Sequence, residues 1–230
     1  MALTPKDIAK MLDHSTLQPF LTEDDIRKGC QIALKYDVAT VCARPGDMKI
    51  VTEALRGSDV LPCTVIGFPH GAHRADVKLF EAQKALDDGC RELDMVINIG
   101  QLLYGNNSSV AGEIASLADL CHKDGALLKV IIETCYLNDE QKRLACRLSE
   151  EAGADFVKTS TGYGSAGAKP EDIILMRAAV SEHVRVKASG GIRDLDTVIR
   201  MKECGADRCG VSATAVIMEE ALRREREGLL

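Results

Sequence analysis

The chain has 230 residues, a length that fits one large domain or two small ones, and its 46% hydrophobic content supplies a substantial core. Aromatic residues reach only 3% and there is no Trp, so that core has to be aliphatic. A net charge of −6, with no basic block longer than the terminal "RRER", excludes broad nucleic-acid binding; no apolar run approaches the ~18 residues of a bilayer span.

In chain order, a short helix is expected at the N-terminus, followed by a first strand at "HSTL" (14–17). Thr22 with Asp25 has the spacing of a capping box and opens the next helix. Strands follow at "VATVCAR" (38–44) and "LPCTVIGF" (61–68). From residue 87 onward one junction repeats four times: "DDGCRELDMVIN", "KDGALLKVIIET", "EAGADFVKTSTG" and "ECGADRCGVSAT". In each, a helix-like segment ends at Gly89, Gly125, Gly153 or Gly205 and a buried strand begins. Between them Asn138 with Gln141 marks a second capping box, Pro170 a helix first turn, and "VRVKASG" (184–190) a further strand. Eight strands alternating with helices predict a (β/α)8 TIM barrel, one domain over residues 1–230. An open doubly wound sheet is the alternative, and it lacks a GxGxxG after the first strand.

Successive strand residues face opposite ways. One face reads Leu93, Met95, Ile97; then Leu128, Val130, Ile132; then Val157, Thr159; then Val184, Val186, Ala188. The opposite face places Asp94, Lys129, Lys158 and Lys187 on four consecutive strands. A single such strand is explained by an edge reaching solvent. Four neighbours with one pattern point to a shared lumen, and barrel sites lie at the C-terminal ends of the strands.

An amine attacks a carbonyl only when neutral, and burial or a second cation both disfavour the ammonium form. Lys187, one strand from Lys158, would be that cation, so the pair predicts imine formation at Lys158 beside a breaking or forming C–C bond. Asp94 would hold or move the protons. Glycine-rich turns at "GYG" (162–164), "SGGIR" (189–193) and "GVSAT" (210–214) offer backbone N–H groups to an anion such as phosphate. His70 and His73 have no third ligand nearby and read as loop residues, so neither metal nor other cofactor is expected. Nine scattered cysteines without CxxC, in a chain with no signal-peptide pattern, read as reduced thiols of a soluble cytoplasmic protein.

These residues resemble the deoxyribose-phosphate aldolase family over nearly the whole chain. The resemblance rests on "LDHSTLQP", "VCARP", "GFPHG", "ELDMVINIG", "LKVIIET", "FVKTSTGYG", "KASGGIR" and "GVSAT" taken together. It implies a metal-free class I aldolase on a TIM barrel that reversibly splits 2-deoxy-D-ribose 5-phosphate into acetaldehyde and D-glyceraldehyde 3-phosphate, in deoxynucleoside breakdown. By position it makes Lys158 the Schiff-base lysine, Lys187 the lysine that perturbs it, and Asp94 the acid/base group. Gly162, Gly190, Gly191, Arg193 and Ser212 fall around the phosphate, with Ser160 and Gly210 in the same binding set. Asp13 and Cys42 fall near the substrate, and Lys129, grouped with them as substrate-binding, is the lysine on the preceding strand and reads as supporting. Partners are then a sugar phosphate and an aldehyde, and such barrels often form homodimers or larger homo-oligomers.

Three departures stand out. Ala43-Arg44 occupies a place where many members carry Val-Asn, Ser212-Ala213 replaces a common Ser-Ser pair, and the sequence ends at Leu230 without the tyrosine-bearing tail of some longer members. They bear on substrate range and phosphate affinity. Two rivals stay open at this point: a Schiff-base aldolase of the same fold for another phosphorylated sugar, and a non-catalytic sugar-phosphate sensor.

Overall fold

A computed structural model describes residues 3–230. Strands β1 (Leu12–Thr16), β2 (Thr40–Ala43), β3 (Leu61–Ile66), β4 (Glu92–Val96), β5 (Leu127–Ile131), β6 (Phe156–Lys158), β7 (Arg185–Ser189) and β8 (Arg208–Val211) close into one barrel. Every strand runs parallel to its sequence neighbours, and β8 returns to pair with β1. Around them stand α1 (Pro5–Met11), α2 (Glu23–Tyr36), α3 (Met48–Ala54), α4 (Ala75–Asp87) and α5 (Ile99–Tyr104). The ring continues with α6 (Asn107–Lys123), α7 (Asp139–Glu151), α8 (Pro170–Ala179), α9 (Leu195–Glu203) and α10 (Thr214–Arg226). Among the described residues no helix is long and apolar enough to cross a membrane.

The local signals act as their chemistry requires. Thr22 and Asp25 form a reciprocal capping box on α2, as do Asn138 and Gln141 on α7, and Pro170 sits in the first turn of α8. The four junction glycines have φ of 93, 67, 87 and 106°, the left-handed region that side chains resist, which turns each helix end back toward the barrel.

Alternation along the strands sorts side chains as the sequence implies. Leu93, Met95, Ile97, Leu128, Val130, Ile132, Val157, Val186 and Ala188 all pack into the aliphatic layer beneath the helices. Inside the barrel a small separate cluster of Cys42, Cys63 and Val65 packs with Leu17 and Phe68. β2, β3 and β7 are each two or three residues shorter than the sequence reading, and two other strand limits bear on the site. β1 begins at Leu12, earlier than expected, which puts Asp13 on the ladder. β6 is only three residues long, and the hydroxyl-rich run after Lys158 leaves the strand to build the barrel rim.

Candidate active site

Register decides which of the lumen charges meet. Lys158 lies beside Lys187 on β7, whereas Lys129 lies beside Phe156, two residues lower along β6. Asp94 pairs in register with Lys129. Its carboxylate therefore sits below the two upper lysines and receives both. Lys158 Nζ donates to Asp94 Oδ2 at 2.6 Å and Lys187 Nζ donates to the same oxygen at 2.7 Å. Lys129 Nζ donates to Oδ1 at 2.7 Å from beneath. All four side chains are buried.

Such a concentration of charge survives burial only because it is paired. Desolvation works to raise the Asp94 carboxyl, yet Lys129, Lys158 and Lys187 outweigh it and hold Asp94 well below the ordinary carboxylate range. Burial works to strip the proton from Lys187, but Asp13 and Asp94 overcome it and keep that lysine firmly cationic. Lys129 is likewise pushed up against its burial by Asp94, Cys63, Glu92 and Asp13. Asp94 at rest is an anion shared by three ammonium groups.

Above this cluster opens a cavity of about 230 Å³ at the C-terminal ends of the strands. Of the residues expected from sequence, Asp13, Cys42, Lys158, Gly162, Lys187, Gly190, Gly191, Arg193, Gly210 and Ser212 line it. Asp94, Lys129 and Ser160 do not. Asp94 lies under the lysine pair, Lys129 is fully buried lower still, and Ser160 is buried behind the rim. Lys129 is thus a support to Asp94 and Glu92 rather than a group facing the cavity.

The rim is backbone. Gly162, Gly190 and Gly191 have φ of 85, 86 and 82°. A Cβ on Gly167 would stand 2.1 Å from the carbonyl oxygen of Gly190, so these two loops cross closer than any side chain allows. α10 starts just beyond Ser212, and its N-cap Ala213 makes no side-chain bond to the helix, which leaves first-turn N–H groups near the cavity mouth. Arg193 is exposed on the same side.

Sequence reasoning missed several participants. Tyr163 lines the cavity, donates its hydroxyl to the Leu17 carbonyl at 2.9 Å and stands edge-on to Phe68 with ring centroids 5.4 Å apart. It spans the mouth from the β6 loop to the β1 loop, and the aromatic within "GYG" was its only signal. Glu133, buried at the end of β5, receives Thr161 Oγ1 at 2.5 Å and pins the β6 loop. Arg208 and Glu92 complete the charge cluster from below.

Arg44 has a different place from the one its departure from the family pattern suggested. Its guanidinium donates to the carbonyls of Gln18, Pro19 and Leu21 and pairs with Asp47 at 2.6 Å, so it clamps the β1 loop and does not line the cavity. Among the described residues, one group of three metal-type side chains, Cys42, Cys63 and Asp94, comes within 4.8 Å. Both Asp94 oxygens there are already engaged by ammonium groups, and Lys129 Nζ reaches Cys63 Sγ at 3.4 Å, so its donor set is part of the ion cluster. His70 and His73 are exposed and outside it.

Amines buried around one carboxylate, beneath an anion-accepting rim on a closed parallel barrel, are what imine chemistry on a phosphorylated carbonyl compound calls for. That sets the protein among the barrel aldolases. Comparison with known proteins narrows this. Residues 8–214 match the family model "DeoC/LacD family aldolase". A deoxyribose-phosphate aldolase of Rhodopirellula baltica is 47% identical over 95% of this chain and 90% of its own length. Another, from Thermococcus gammatolerans, is 49% identical over 95% of this chain and 98% of its own. The solved structure of a tetrameric deoxyribose phosphate aldolase from Aeropyrum pernix superposes with a TM-score of 0.88 at 33% identity, covering 94% of this chain and 92% of that one. The chain belongs to the DeoC/LacD aldolase family.

Proposed function

We propose that this protein reversibly cleaves 2-deoxy-D-ribose 5-phosphate to acetaldehyde and D-glyceraldehyde 3-phosphate through an imine on Lys158, the whole chain acting as one aldolase domain. The observation that carries the mechanism is the single oxygen, Asp94 Oδ2, bonded to both Lys158 and Lys187. Asp94 and Lys187 stay an ion pair, so a proton leaving Lys158 passes to water in the cavity that Lys158 lines. The freed amine adds to the C1 carbonyl of the open-chain sugar, and loss of water gives a protonated imine. The C3 hydroxyl then loses its proton to Asp94 through water, the C2–C3 bond breaks, and its electron pair moves into the imine to leave an enamine and D-glyceraldehyde 3-phosphate. Protonation of the enamine at C2 and hydrolysis release acetaldehyde and restore Lys158.

Gly162, Gly190, Gly191, Arg193 and Ser212 hold the phosphate, while Leu17 and Cys42, in the cluster that Phe68 packs against, give the two-carbon end an apolar wall. Of the two departures that favoured another sugar phosphate, Arg44 and Ala213, Arg44 is engaged by the β1 loop and does not line the cavity. We assign the enzyme to deoxyribose phosphate catabolism in the cytoplasm. Because the Aeropyrum pernix relative is tetrameric, we also propose a homo-oligomer for this chain. Borohydride reduction in the presence of acetaldehyde, followed by peptide mass mapping, tests the mechanism. A stable ethyl adduct is expected on Lys158 and is lost in Lys158→Ala; an adduct at another residue refutes the assignment.

A further inference from the structure

Seven charged side chains inside the barrel form a closed set. Asp13, Glu92 and Asp94 are its carboxylates; Lys129, Lys158, Lys187 and Arg208 are its cations. Every ion pair that any of them makes is with another member. Arg208, like Asp13, Glu92 and Lys129, takes no step in the proposed reaction, and it is the one of these that is an arginine and keeps its charge throughout. It reaches inward from β8, donates to Asp13 Oδ1 at 2.5 Å and to Glu92 Oε1 at 3.2 Å, and stands 5.8 Å from the Phe156 ring. Asp13 in turn pairs with Lys187 through its other oxygen.

The distribution of partners within the set is uneven. Lys129 is shared by three carboxylates, Lys187 by two, and Arg208 by two. Lys158 has one carboxylate, through an oxygen it shares with Lys187. Three carboxylates balance three cations, so one cation is in surplus, and at a buried site an uncompensated charge is expensive. We propose that Arg208 is a positioning residue which, by committing itself to Asp13 and Glu92, makes Lys158 the surplus cation and so the one amine that releases its proton to enter the reaction. Without Arg208, three lysines would balance three carboxylates and Lys158 would be needed as a counter-ion.

The groups facing Lys158 come from every side of the barrel. Asp94 on β4 touches it directly, and the other titratable groups of the same cluster are Asp13 on β1, Cys42 on β2, Cys63 on β3, Glu92 on β4, Lys129 on β5, Lys187 on β7 and Arg208 on β8. Of the outer groups, Glu133 is taken up by Thr161, the Tyr163 hydroxyl by Leu17, and Arg193 is exposed at the rim.

The inference rests on the imine at Lys158, and its test separates the two. The rate of borohydride-trapped acetaldehyde on Lys158 is followed across a pH series, with thermal melting to establish folding. Arg208→Met is expected to move the rise in trapping to higher pH by about one unit. Glu92→Gln removes a carboxylate and is expected to move it to lower pH by a similar amount. The double variant restores the balance and returns the profile toward that of the unaltered protein, while Arg208→Lys, which keeps the charge, leaves it in place. A merely structural Arg208 predicts losses of rate in every variant without opposed displacements. Unmoved profiles, or displacements in one direction only, overturn the proposal. If Arg208→Met does not fold, Glu92→Gln decides alone, and the absence of a shift to lower pH is fatal. No adduct on Lys158 in the unaltered protein would sink the imine reading, and this proposal with it.

Discussion

The lumen floor and the cavity rim of this barrel solve opposite problems. On the floor, Asp13, Glu92, Asp94, Lys129 and Arg208 are locked to one another by side-chain ion pairs, buried except for a partly exposed Arg208. At the rim, Gly162, Gly190 and Gly191 present bare backbone, and the one charged side chain lining the cavity there, Arg193, is exposed. The floor stores charge in fixed positions and so sets which groups carry protons. The rim carries little charge and must bind an anion through exposed N–H groups and hydroxyls. Mutations on the floor are therefore expected to act on kcat and on stability, and mutations at the rim on KM.

The largest break in that contrast is Asp94→Asn. It removes the counter-ion of three buried ammonium groups and the shared proton-carrying oxygen. We expect kcat to fall by about 10²–10⁴-fold and stability by about 3–5 kcal/mol, read by steady-state kinetics and urea unfolding. Retention of full stability would mean that the floor is not held by its charges. Arg193→Met should behave in the opposite manner. We expect KM for the phosphorylated sugar to rise about tenfold or more with kcat nearly unchanged, and no change in KM for 2-deoxyribose, which lacks the phosphate.

Acid should separate the two regions further. His14 is buried on the outer side of β1, its Nδ1 lies 2.8 Å from the Thr214 hydroxyl at the start of α10, and burial pushes its pKa from 6.5 down to about 4. Between those values the unfolded chain takes up a proton that the folded protein refuses. Stability is therefore complete above pH 6.5 and falls by about 3 kcal/mol as pH drops to about 4. Asp94 is held well below the usual carboxylate range, so its contribution is present above pH ~4 and is lost only at still lower pH. Melting temperatures measured across this range should decline before Asp94 titrates. His14→Asn should flatten the upper part of the decline.

Much of this was legible in the sequence, and the limit has a physical cause. Four strands displayed their apolar and ionisable faces by simple alternation, which placed Asp94, Lys129, Lys158 and Lys187 in one lumen. Alternation says which face a residue takes but not its height. Lys129 and Lys158 looked equivalent until register put Lys129 level with Phe156. Ser160 was expected to continue the inward face of β6, but the strand stops at Lys158 and the serine turns behind the rim. Arg208 was hidden for a third reason. Its partners lie 195 and 116 residues away and meet it only because the barrel closes β8 against β1. The family resemblance supplied Asp94 and Lys129 along with the residues lining the cavity, and it was silent on Glu92 and Arg208.

Tyr163 gives the finest test of the contrast, because it belongs to the rim yet carries no charge. Its hydroxyl ties the β6 loop to the β1 loop, and the Arg44 clamp holds the other side of that same loop through the carbonyls of Gln18, Pro19 and Leu21. Tyr163→Phe keeps the ring against Phe68 and deletes one hydrogen bond, a loss of about 1 kcal/mol in the seating of the cavity wall. If the rim works by positioning backbone, KM should rise about two- to fivefold while kcat and the pH profile of imine trapping stay as they are. If kcat falls instead, the hydroxyl takes part in proton movement, and the division between a floor that moves protons and a rim that binds would have to be redrawn through Tyr163.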